Sequence, residues 1–303
     1  MTSVLKAGNT AVITGASSGI GRAVALHCAE KGMNVWMVDI DAEELVMAKE
    51  MVVAKKSSDL QQVIESRTVD VSSSKAMEEL SGEVFEKCGA CHFLMNNAGI
   101  GSGGGALTDI ETVQRVMAVN TYGPMNGCLA FCPKMKSQKE ESLIVNTGSK
   151  QGITMPPGNL TYNISKAALK CYTEGLAHEL RETVVNVALL IPGWVNTSIL
   201  LKSLKQKAEA AGDDFDAQSV FFREDKPADG AWMPHQVVEF MIQELDKGSF
   251  YIVCPDNDVD PVTDKLRMTW TMQDITENRP PLSRWHPEYK EKFAEFVKAH
   301  GGK

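Results

Sequence analysis

Two side chains that can move a proton together, Tyr162 and Lys166, stand four positions apart in the chain. They fall in a segment, Thr161–Glu182, whose apolar spacing predicts a helix, and residues four apart in a helix are neighbours on one face. A free tyrosine titrates at about pH 10, but an ammonium held nearby stabilises the phenolate and lowers its pKa. Such a pair can exchange a proton with an alcohol near neutral pH.

Ser149 adds a third reactive group just after a predicted strand, Ser142–Thr147. Doubly wound sheets bind ligands outside the carboxyl ends of their strands, so we expect Ser149 to lie at that edge. Its hydroxyl can hold a substrate oxygen. A tyrosine and a lysine at this spacing are, on their own, typical of a solvated helix face. The serine, together with a glycine-rich loop near the N-terminus, favours the catalytic interpretation.

That glycine-rich loop, Thr14–Gly21, lies between a predicted strand, Thr10–Ile13, and a predicted helix, Gly19–Lys31. Its glycines at positions 15, 19 and 21 let the backbone turn sharply and approach a diphosphate closely. The helix then begins with its free N–H groups and positive dipole end directed at the phosphates. This strand–loop–helix context predicts a dinucleotide site, and a turn without any ligand is the alternative.

Asp39 follows the second predicted strand, Asn34–Val38, and comes 18 residues after Gly21. A carboxylate at this place can accept hydrogen bonds from the ribose hydroxyls of an adenosine, and it repels a 2′-phosphate. The sequence therefore favours NAD over NADP. Arg22 is the cation that could oppose this preference, and a solvent-exposed position for its side chain is the alternative.

Short apolar runs alternate with helix-period segments along the first 254 residues. This order predicts β-α-β units and a parallel sheet that is covered by helices on both faces and wound in both directions by right-handed crossovers. The predicted fold class is α/β, a Rossmann-type doubly wound parallel sheet in a single domain. Besides the segments already named, we predict strands at Val63–Val69, Cys91–Met95, Asn186–Ile191 and Ser249–Cys254, and helices at Ala42–Lys56, Ser74–Lys87, Ile110–Met135 and Pro234–Lys247.

The composition of the 303 residues is that of an ordinary globular protein, with 43% hydrophobic and 23% charged residues. A net charge of −8 without a basic stripe argues against a nucleic-acid partner. No apolar run reaches the roughly 18 residues that would predict a membrane span. The N-terminus also lacks the long apolar segment of a signal peptide.

Seven cysteines, an odd number scattered along the chain, are typical of reduced thiols in the cytosol rather than of a disulfide framework. The expected location is therefore cytoplasmic. Cys88 and Cys91 form a Cys-x-x-Cys motif, but no second pair stands at zinc-ligand spacing. We predict buried free thiols there and no metal site.

Taken in order, these motifs resemble those of the short-chain dehydrogenase/reductases over about Lys6–Cys254. The loop Thr14–Gly21 is similar to the cofactor loop of that family, and Asp70–Val71 to its adenine-pocket pair. Asn96–Gly99 is similar to the strand end that lies beside the cofactor. Pro192–Thr197 is similar to the loop that meets the nicotinamide carboxamide and the phosphates.

The resemblance implies hydride transfer between NAD(H) and a secondary alcohol or ketone. It implies a catalytic serine, tyrosine and lysine at Ser149, Tyr162 and Lys166, and an asparagine, Asn120, that holds a water of the proton relay. The residues expected to contact the cofactor are Gly15, Ser17, Ser18, Gly19, Ile20, Gly21, Asp39, Ile40, Asp70, Val71, Asn97, Ala98, Gly99, Tyr162, Lys166, Pro192, Gly193, Val195 and Thr197.

Residues 1–254 are predicted to form the dehydrogenase domain, with an insertion at about 197–233 that, by resemblance, covers the active site as a lid. Apolar islands at Ile199–Leu201 and Val220–Phe222 favour a hydrophobic substrate, and the alternative is that they only pack the insertion onto the domain. The aromatic side chains of the C-terminal extension, 255–303, must be buried somewhere. We predict that they pack on the domain or on a neighbouring subunit.

The resemblance further implies a homodimer or homotetramer formed through the helices Ile110–Met135 and Thr161–Glu182. Lys150 and Gln151 depart from the small residues usual after the serine, and they predict a polar or charged pocket rim. The loop beginning at Pro192 is also similar to that of 15-hydroxyprostaglandin dehydrogenase, a short match that assigns no substrate. An NADP-dependent carbonyl reductase and a non-catalytic dinucleotide sensor are the alternative functions.

Overall fold

The protein is described here by a computed structural model that covers residues 1–56, 61–101, 104–198, 230–257 and 259–302. Seven strands of these residues form one parallel sheet. They are β1 (Thr10–Thr14), β2 (Asn34–Asp39), β3 (Ile64–Thr68), β4 (Phe93–Asn96), β5 (Ser142–Thr147), β6 (Val185–Ile191) and β7 (Tyr251–Val253).

Helices follow nearly every strand, as the alternation of apolar runs predicts. They are α1 (Gly19–Glu30), α2 (Ala42–Val53), α3 (Ser74–Cys88), α4 (Ile110–Met117), α5 (Gly123–Ser137), α6 (Gln151–Thr154), α7 (Leu160–Leu180), α8 (Pro234–Asp246), α9 (Pro261–Thr276) and α10 (Lys290–Ala299). Polar side chains start several of them. Asp41 accepts the N–H of Glu44 at the start of α2, and Ser73 accepts the N–H of Ala76 at the start of α3.

The strand order β3-β2-β1-β4-β5-β6-β7 confirms the doubly wound parallel sheet. The chain winds outward from β1 to β3, returns to place β4 on the other side of β1, and then winds outward to β7. Where the winding reverses, between β1 and β4, the loops after the two strands separate and leave a crevice at the carboxyl edge. This edge therefore positions the candidate site.

The sheet is buried on both faces, because every residue of β1 and β5 is buried. Alternate residues of β1 enter two hydrophobic clusters, with Ile13 on the face covered by α1, α2 and α8 and Val12 on the face covered by α3 and α5. Each fully buried aliphatic or aromatic side chain stabilises the fold by about 1.5–3 kcal/mol. The two clusters hold the strand ends in fixed relative positions.

The single helix predicted over Ile110–Met135 is wrong in one respect. A π-helical segment, Ala118–Tyr122, separates α4 from α5. Asn120 lies within it with a buried side chain. Next in the chain, Gly123 lies so close to Val71 that a Cβ atom would come within 2.7 Å of that side chain. Apolar periodicity does not reveal a π-helical turn, because the segments on both sides keep the helical period.

The C-terminal extension contains a helix, α9, that the sequence analysis did not predict. Its start follows ordinary capping rules, since the Asp260 carboxylate accepts N–H groups of the first turn and Pro261 occupies the first helical position. The helix packs against α6. Trp270 lies between two phenylalanine rings of the extension, at centroid distances of 5.3 and 5.2 Å, and its indole N–H donates to Ser283 at 2.8 Å. The domain boundary at residue 254 stays a prediction.

Across the described segments, no helix is both long and apolar enough to cross a bilayer.

Candidate active site

The glycine loop turns between β1 and α1 in a space that excludes larger residues. Gly15 and Gly19 have φ angles of +67° and +53°, in the left-handed region that favours glycine. A Cβ at Gly21 would lie 2.1 Å from the carbonyl oxygen of Gly15, and one at Gly15 would lie 2.8 Å from Cα of Ala98. The N-cap residue of α1, Ser18, makes no side-chain capping bond within the described residues. The loop thus has the tight turn, and the helix start without a side-chain cap, that fit a diphosphate.

Asp39 lies at the carboxyl end of β2 beside this loop. One carboxylate oxygen accepts the N–H of Ser17 at 3.0 Å, and the other accepts the N–H groups of Ile40 and Asp41 at 2.8 and 3.2 Å. Glu44, which the sequence analysis did not single out, accepts the Ser17 hydroxyl at 3.4 Å. Two carboxylates therefore border the loop, and Ile40 beside them is exposed.

The predicted adenine-pocket pair follows β3. The carbonyl of Val71 accepts the side-chain amide of Asn126 at 2.9 Å, which joins the pair to α5. The carboxylate of Asp70 accepts the N–H of Ser72 at 2.9 Å and stabilises the turn. Val71 is buried, while Asp70 is exposed.

Thr14 ties the end of β4 to the end of β1. Its hydroxyl oxygen accepts the N–H groups of Asn97 and Ala98 at 2.9 and 3.0 Å. The side-chain amide of Asn97 donates to the Thr14 carbonyl at 3.1 Å, and its oxygen accepts the hydroxyl of Thr147 at 3.3 Å. The ends of β1, β4 and β5 are therefore held together. Asn97 and Ala98 were predicted as cofactor contacts. Thr14 and Thr147 were predicted only as the ends of a loop and a strand, because the residue type does not by itself indicate their bonding role.

Ser149, Tyr162 and Lys166 come together just beyond the carboxyl end of β5. Ser149 lies close enough to Tyr162 to influence its titration, and the Ser149 hydroxyl oxygen accepts the N–H of Gln151 at 3.2 Å. The Lys166 ammonium donates to the carbonyl of Thr147 at 2.8 Å and lies 5.8 Å from the centre of the Tyr162 ring. The catalytic roles of the three residues stay predictions.

Burial controls the titration of this group. It raises the pKa of Tyr162 above its usual value, and the nearby Ser149 hydroxyl lowers that pKa in part. It lowers the pKa of Lys166 to about 8, because a buried ammonium loses its hydration. The spacing of Tyr162 and Lys166 predicts a lowered pKa for Tyr162, but burial raises that pKa by more. Further positive charge is needed for Tyr162 to ionise near neutral pH.

The side chain of Asn120 is engaged on all sides. Its oxygen accepts the N–H of Ile100 at 2.8 Å, and its amide donates to the Ile100 carbonyl at 3.0 Å and to the Ser165 hydroxyl at 3.1 Å. Asn120 therefore joins the loop after β4 to α7. Both amide hydrogens of the side chain are therefore used, and the water-holding role of Asn120 stays a prediction.

The loop after β6 runs along the same edge and returns to the glycine loop. The carbonyl of Pro192 accepts the N–H of Lys150 at 3.2 Å, and the carbonyl of Trp194 accepts the N–H of Trp232 at 2.9 Å. The Thr197 methyl group lies where a Cβ at Gly19 would approach it to 3.0 Å. Of the expected contacts Pro192, Gly193, Val195 and Thr197, Thr197 therefore lies beside the glycine loop. Residues 199–229 of the predicted insertion, with both apolar islands, lie outside the described residues.

Lys150 is largely buried and its charge is paired, whereas a polar or charged pocket rim from Lys150 and Gln151 stays a prediction. Its ammonium contacts the carboxylates of Asp256, at 3.0 Å, and of Asp264, and its side chain is only 12% exposed. Asp256 follows β7 and Asp264 lies on α9. The sequence analysis missed both aspartates, which are 106 and 114 residues from Lys150 in the chain. The available signal was the helix start at Asp260–Pro261.

Comparison with known proteins agrees with this geometry. A sequence profile described as short chain dehydrogenase matches residues 9–208, well over half of the chain. The chain belongs to the short-chain dehydrogenase/reductase family. This confirms the family and fold predicted from the glycine loop and the Tyr-x-x-x-Lys motif, and it makes the chain an oxidoreductase that uses a nicotinamide dinucleotide.

Two relatives illustrate the range of this family. The dehydrogenase is 31% identical over 218 residues to SadH, a provisionally assigned oxidoreductase of Mycobacterium tuberculosis, with 71% of this chain and 75% of SadH covered. It is 29% identical to 1-deoxy-11-beta-hydroxypentalenate dehydrogenase of Streptomyces exfoliatus, with 67% of this chain and 73% of that relative covered. The similarity to 15-hydroxyprostaglandin dehydrogenase stays a prediction.

Solved structures of the family contain both dinucleotides. A short chain dehydrogenase/reductase of Burkholderia phymatum in complex with NAD has a TM-score of 0.77 and 28% identity, covering 92% of this chain and 97% of that one. A metagenomic short-chain oxidoreductase in complex with NADP has a TM-score of 0.63 and 26% identity, covering 82% and 98%. Structural neighbours of this chain thus include proteins that bind either dinucleotide.

Proposed function

We propose that this dehydrogenase oxidises a hydrophobic secondary alcohol, or reduces the matching ketone, with NAD(H) as the hydride carrier. The observation that carries the proposal is the meeting of Ser149 and Tyr162 beside a buried Lys166, at the same sheet edge as the glycine loop. A tyrosine, a serine and a cation in this order are suited to proton transfer from an alcohol oxygen.

Each side chain has one task in this scheme. Tyr162 accepts the hydroxyl proton of the alcohol, and Ser149 holds the substrate oxygen within reach of it. Lys166 stabilises the phenolate of Tyr162. A bound NAD supplies the hydride acceptor and, in its oxidised ring, the positive charge that lowers the pKa of Tyr162 further. Asn120 holds the water through which the proton leaves.

The carboxylates beside the glycine loop support NAD over NADP. Asp39 is held in place by three backbone N–H groups, and Glu44 lies next to it through Ser17. Fixed carboxylates accept hydrogen bonds from ribose hydroxyls and repel a 2′-phosphate. Glu44 therefore adds to the effect expected of Asp39 alone.

Calorimetric titration of the purified protein with NAD, NADP and their reduced forms tests the cofactor proposal. We expect NAD to bind more tightly than NADP by at least about tenfold, which is about 1.4 kcal/mol. Asp39→Ala should reduce this ratio, and Asp39→Asn, which keeps the shape of the side chain, should reduce it through charge alone. Tighter binding of NADP to the unaltered protein would contradict the proposal and favour a carbonyl reductase.

Substitution of Tyr162 tests the chemistry. Tyr162→Phe removes the proton acceptor and keeps the ring, so we expect kcat to fall by about 10²–10⁴-fold. NADH affinity of the same variant should fall far less than kcat, because the ring of this expected cofactor contact is kept, and this separates a lost proton transfer from a lost cofactor site. Near-normal turnover of Tyr162→Phe with every alcohol of a broad panel would rule out the assignment.

Two observations support a hydrophobic alcohol as the substrate. The relative from Streptomyces exfoliatus is named as the dehydrogenase of a hydroxyl compound, 1-deoxy-11-beta-hydroxypentalenate. In this chain Trp194, on the loop after β6, remains 45% exposed and offers an aromatic surface beside Pro192 and Val195. A panel of aliphatic, cyclic and aromatic secondary alcohols with NAD, followed at 340 nm in absorbance, is the matching screen.

We also propose that the protein is a homo-oligomer and that it is located in the cytoplasm. Large apolar side chains remain exposed on the helices expected to form the interface, namely Ile110, Tyr122, Leu129 and Ile164. They support a homodimer or homotetramer. The seven cysteines are free thiols, five of them buried, which supports a reducing cytoplasmic location.

A further inference from the structure

Lys150 joins three distant parts of the chain next to the candidate site. It follows Ser149 directly, and its ammonium contacts Asp256 after β7, at 3.0 Å, and Asp264 on α9. The three side chains are 12%, 8% and 5% exposed, so the contacts are almost completely shielded from water. A single ammonium satisfies two carboxylates, and removal of Lys150 would leave both of them buried together.

The same three side chains lie next to the loop 192–194, which is expected to contact the nicotinamide. The carboxylate of Asp256 accepts the N–H of Trp194 at 3.4 Å, and the backbone N–H of Lys150 donates to the Pro192 carbonyl at 3.2 Å. A Cβ at Gly193 would lie 2.3 Å from the Asp256 carboxylate and 2.7 Å from the Lys150 ammonium. The loop therefore lies directly against the charged groups, without room for a side chain between them.

We propose that Lys150 is a positioning residue: held by Asp256 and Asp264, it fixes the distance between the Ser149 hydroxyl and the loop 192–194. Through Asp264, the C-terminal extension becomes a working part of the active site. This inference rests on the proposed function, because the loop matters only if a nicotinamide binds against it.

Geometry rather than net stability is the effect expected of such a cluster. Buried ion pairs add little to stability compared with apolar residues of the same size, because desolvation offsets their attraction. They do hold their partners at fixed distances. Hydride transfer is sensitive to such distances, since a displacement of about 1 Å can cost on the order of a hundredfold in rate.

The test compares two variants of the cluster with a matched control. Lys150→Met removes the ammonium and keeps the length of the side chain, and Asp264→Asn removes one carboxylate charge and keeps the shape. The control is Arg279→Met, which breaks another buried ion pair of the extension, Arg279 with Asp274, whose side chains are also 12% and 8% exposed. NADH binding is measured by nicotinamide fluorescence, and stability by urea unfolding. Turnover is measured with the alcohol of the panel that reacts fastest.

We expect all three variants to lower the urea midpoint, since each disturbs a buried ion pair. Only Lys150→Met and Asp264→Asn should weaken NADH binding, by about tenfold, and lower kcat by roughly ten- to a hundredfold. The double variant should be no worse than Lys150→Met alone, because both changes break the same cluster. If Lys150→Met does not fold, Asp264→Asn carries the comparison.

Two results would overturn the inference, and they are distinguishable. If the cluster variants and Arg279→Met have the NADH affinity and kcat of the unaltered protein, Lys150 is only structural and the proposed function stands. If the unaltered protein binds no NADH, the proposed function fails and the inference fails with it.

Discussion

Lys166 is a charged side chain in a place that disfavours charge. It is 4% exposed, and burial lowers its pKa from 10.5 to about 8. Its ammonium donates to the Thr147 carbonyl at 2.8 Å, which orients it without neutralising it. The residue is therefore a source of instability that the site retains beside Tyr162, as expected of a group with a catalytic task.

This shift has a measurable sign. Below pH 8, folded and unfolded chains both carry the proton on Lys166, and the full cost of burying the charge is present. Between pH 8 and about 10.4 the unfolded chain binds more protons, so the free energy of unfolding should rise with pH by roughly 3 kcal/mol from this residue. The rise is measured as the difference between the unaltered protein and Lys166→Met in urea unfolding across that range. A flat difference would show that Lys166 keeps its usual pKa, and a falling difference would show that its pKa is raised; either result would contradict the prediction.

Residue types and spacing identified the groups whose chemistry is distinctive. The site residues that could be predicted have a distinctive chemistry and stand at a defined place after a strand or along a helix. They are Tyr162, Lys166, Ser149 and Asp39. Thr14 could not be predicted, since nothing in its type separates a threonine that bonds Asn97 from one that only ends a strand. The partners of Lys150 were missed for a different reason, because tertiary contacts across more than 100 residues leave no local pattern.

At the scale of elements, the glycine loop can be tested by adding one methyl group. In Gly21→Ala the new Cβ would lie 2.1 Å from the Gly15 carbonyl oxygen, so the turn must open. We expect the free energy of unfolding to fall by about 1–3 kcal/mol and NADH binding to be largely lost. Both are read from urea unfolding and NADH fluorescence.

Gly82→Ala is the control for this substitution. Gly82 lies inside α3, and a Cβ there meets nothing within 4 Å. Alanine favours a helix interior over glycine, so this variant should gain about 0.5–1 kcal/mol and bind NADH normally. Equal NADH affinity in the two variants would mean that the loop does not bind the diphosphate.

The predicted elements agree with the structure where periodicity and flanking residues point the same way. The helix predicted over Thr161–Glu182 is found at Leu160–Leu180, and the strand predicted at Ser142–Thr147 is found with the same bounds. The exceptions include the short helix α6, α9, whose start signal at Asp260–Pro261 was overlooked, and the π-helical turn at Asn120. That turn is set by packing against Ile100 and Ser165, which the local sequence does not encode.

At the scale of the whole molecule, the exposed apolar side chains of α5 and α7 test the expected assembly. Leu129→Glu and Ile164→Glu would each place a carboxylate in the interface, where burial of an unpaired charge costs several kcal/mol. We expect sedimentation equilibrium to show a smaller assembly for both variants. Leu107→Glu is the control, since Leu107 is 99% exposed and lies outside these helices. An assembly unchanged by all three substitutions would place the interface elsewhere.

The contact between Lys150 and Asp264 also bears on how the protein is made. All seven strands have been synthesised once residue 253 is added, yet Lys150 still lacks both of its carboxylate partners, Asp256 and Asp264, at that point. In the nascent chain, the Lys150 ammonium would therefore lie at the end of the sheet without the carboxylates that pair with it in the complete protein. We therefore expect the turn after β5 and the loop after β6 to acquire their final positions only when α9 emerges. The nascent enzyme would then remain inactive until α9 has been synthesised.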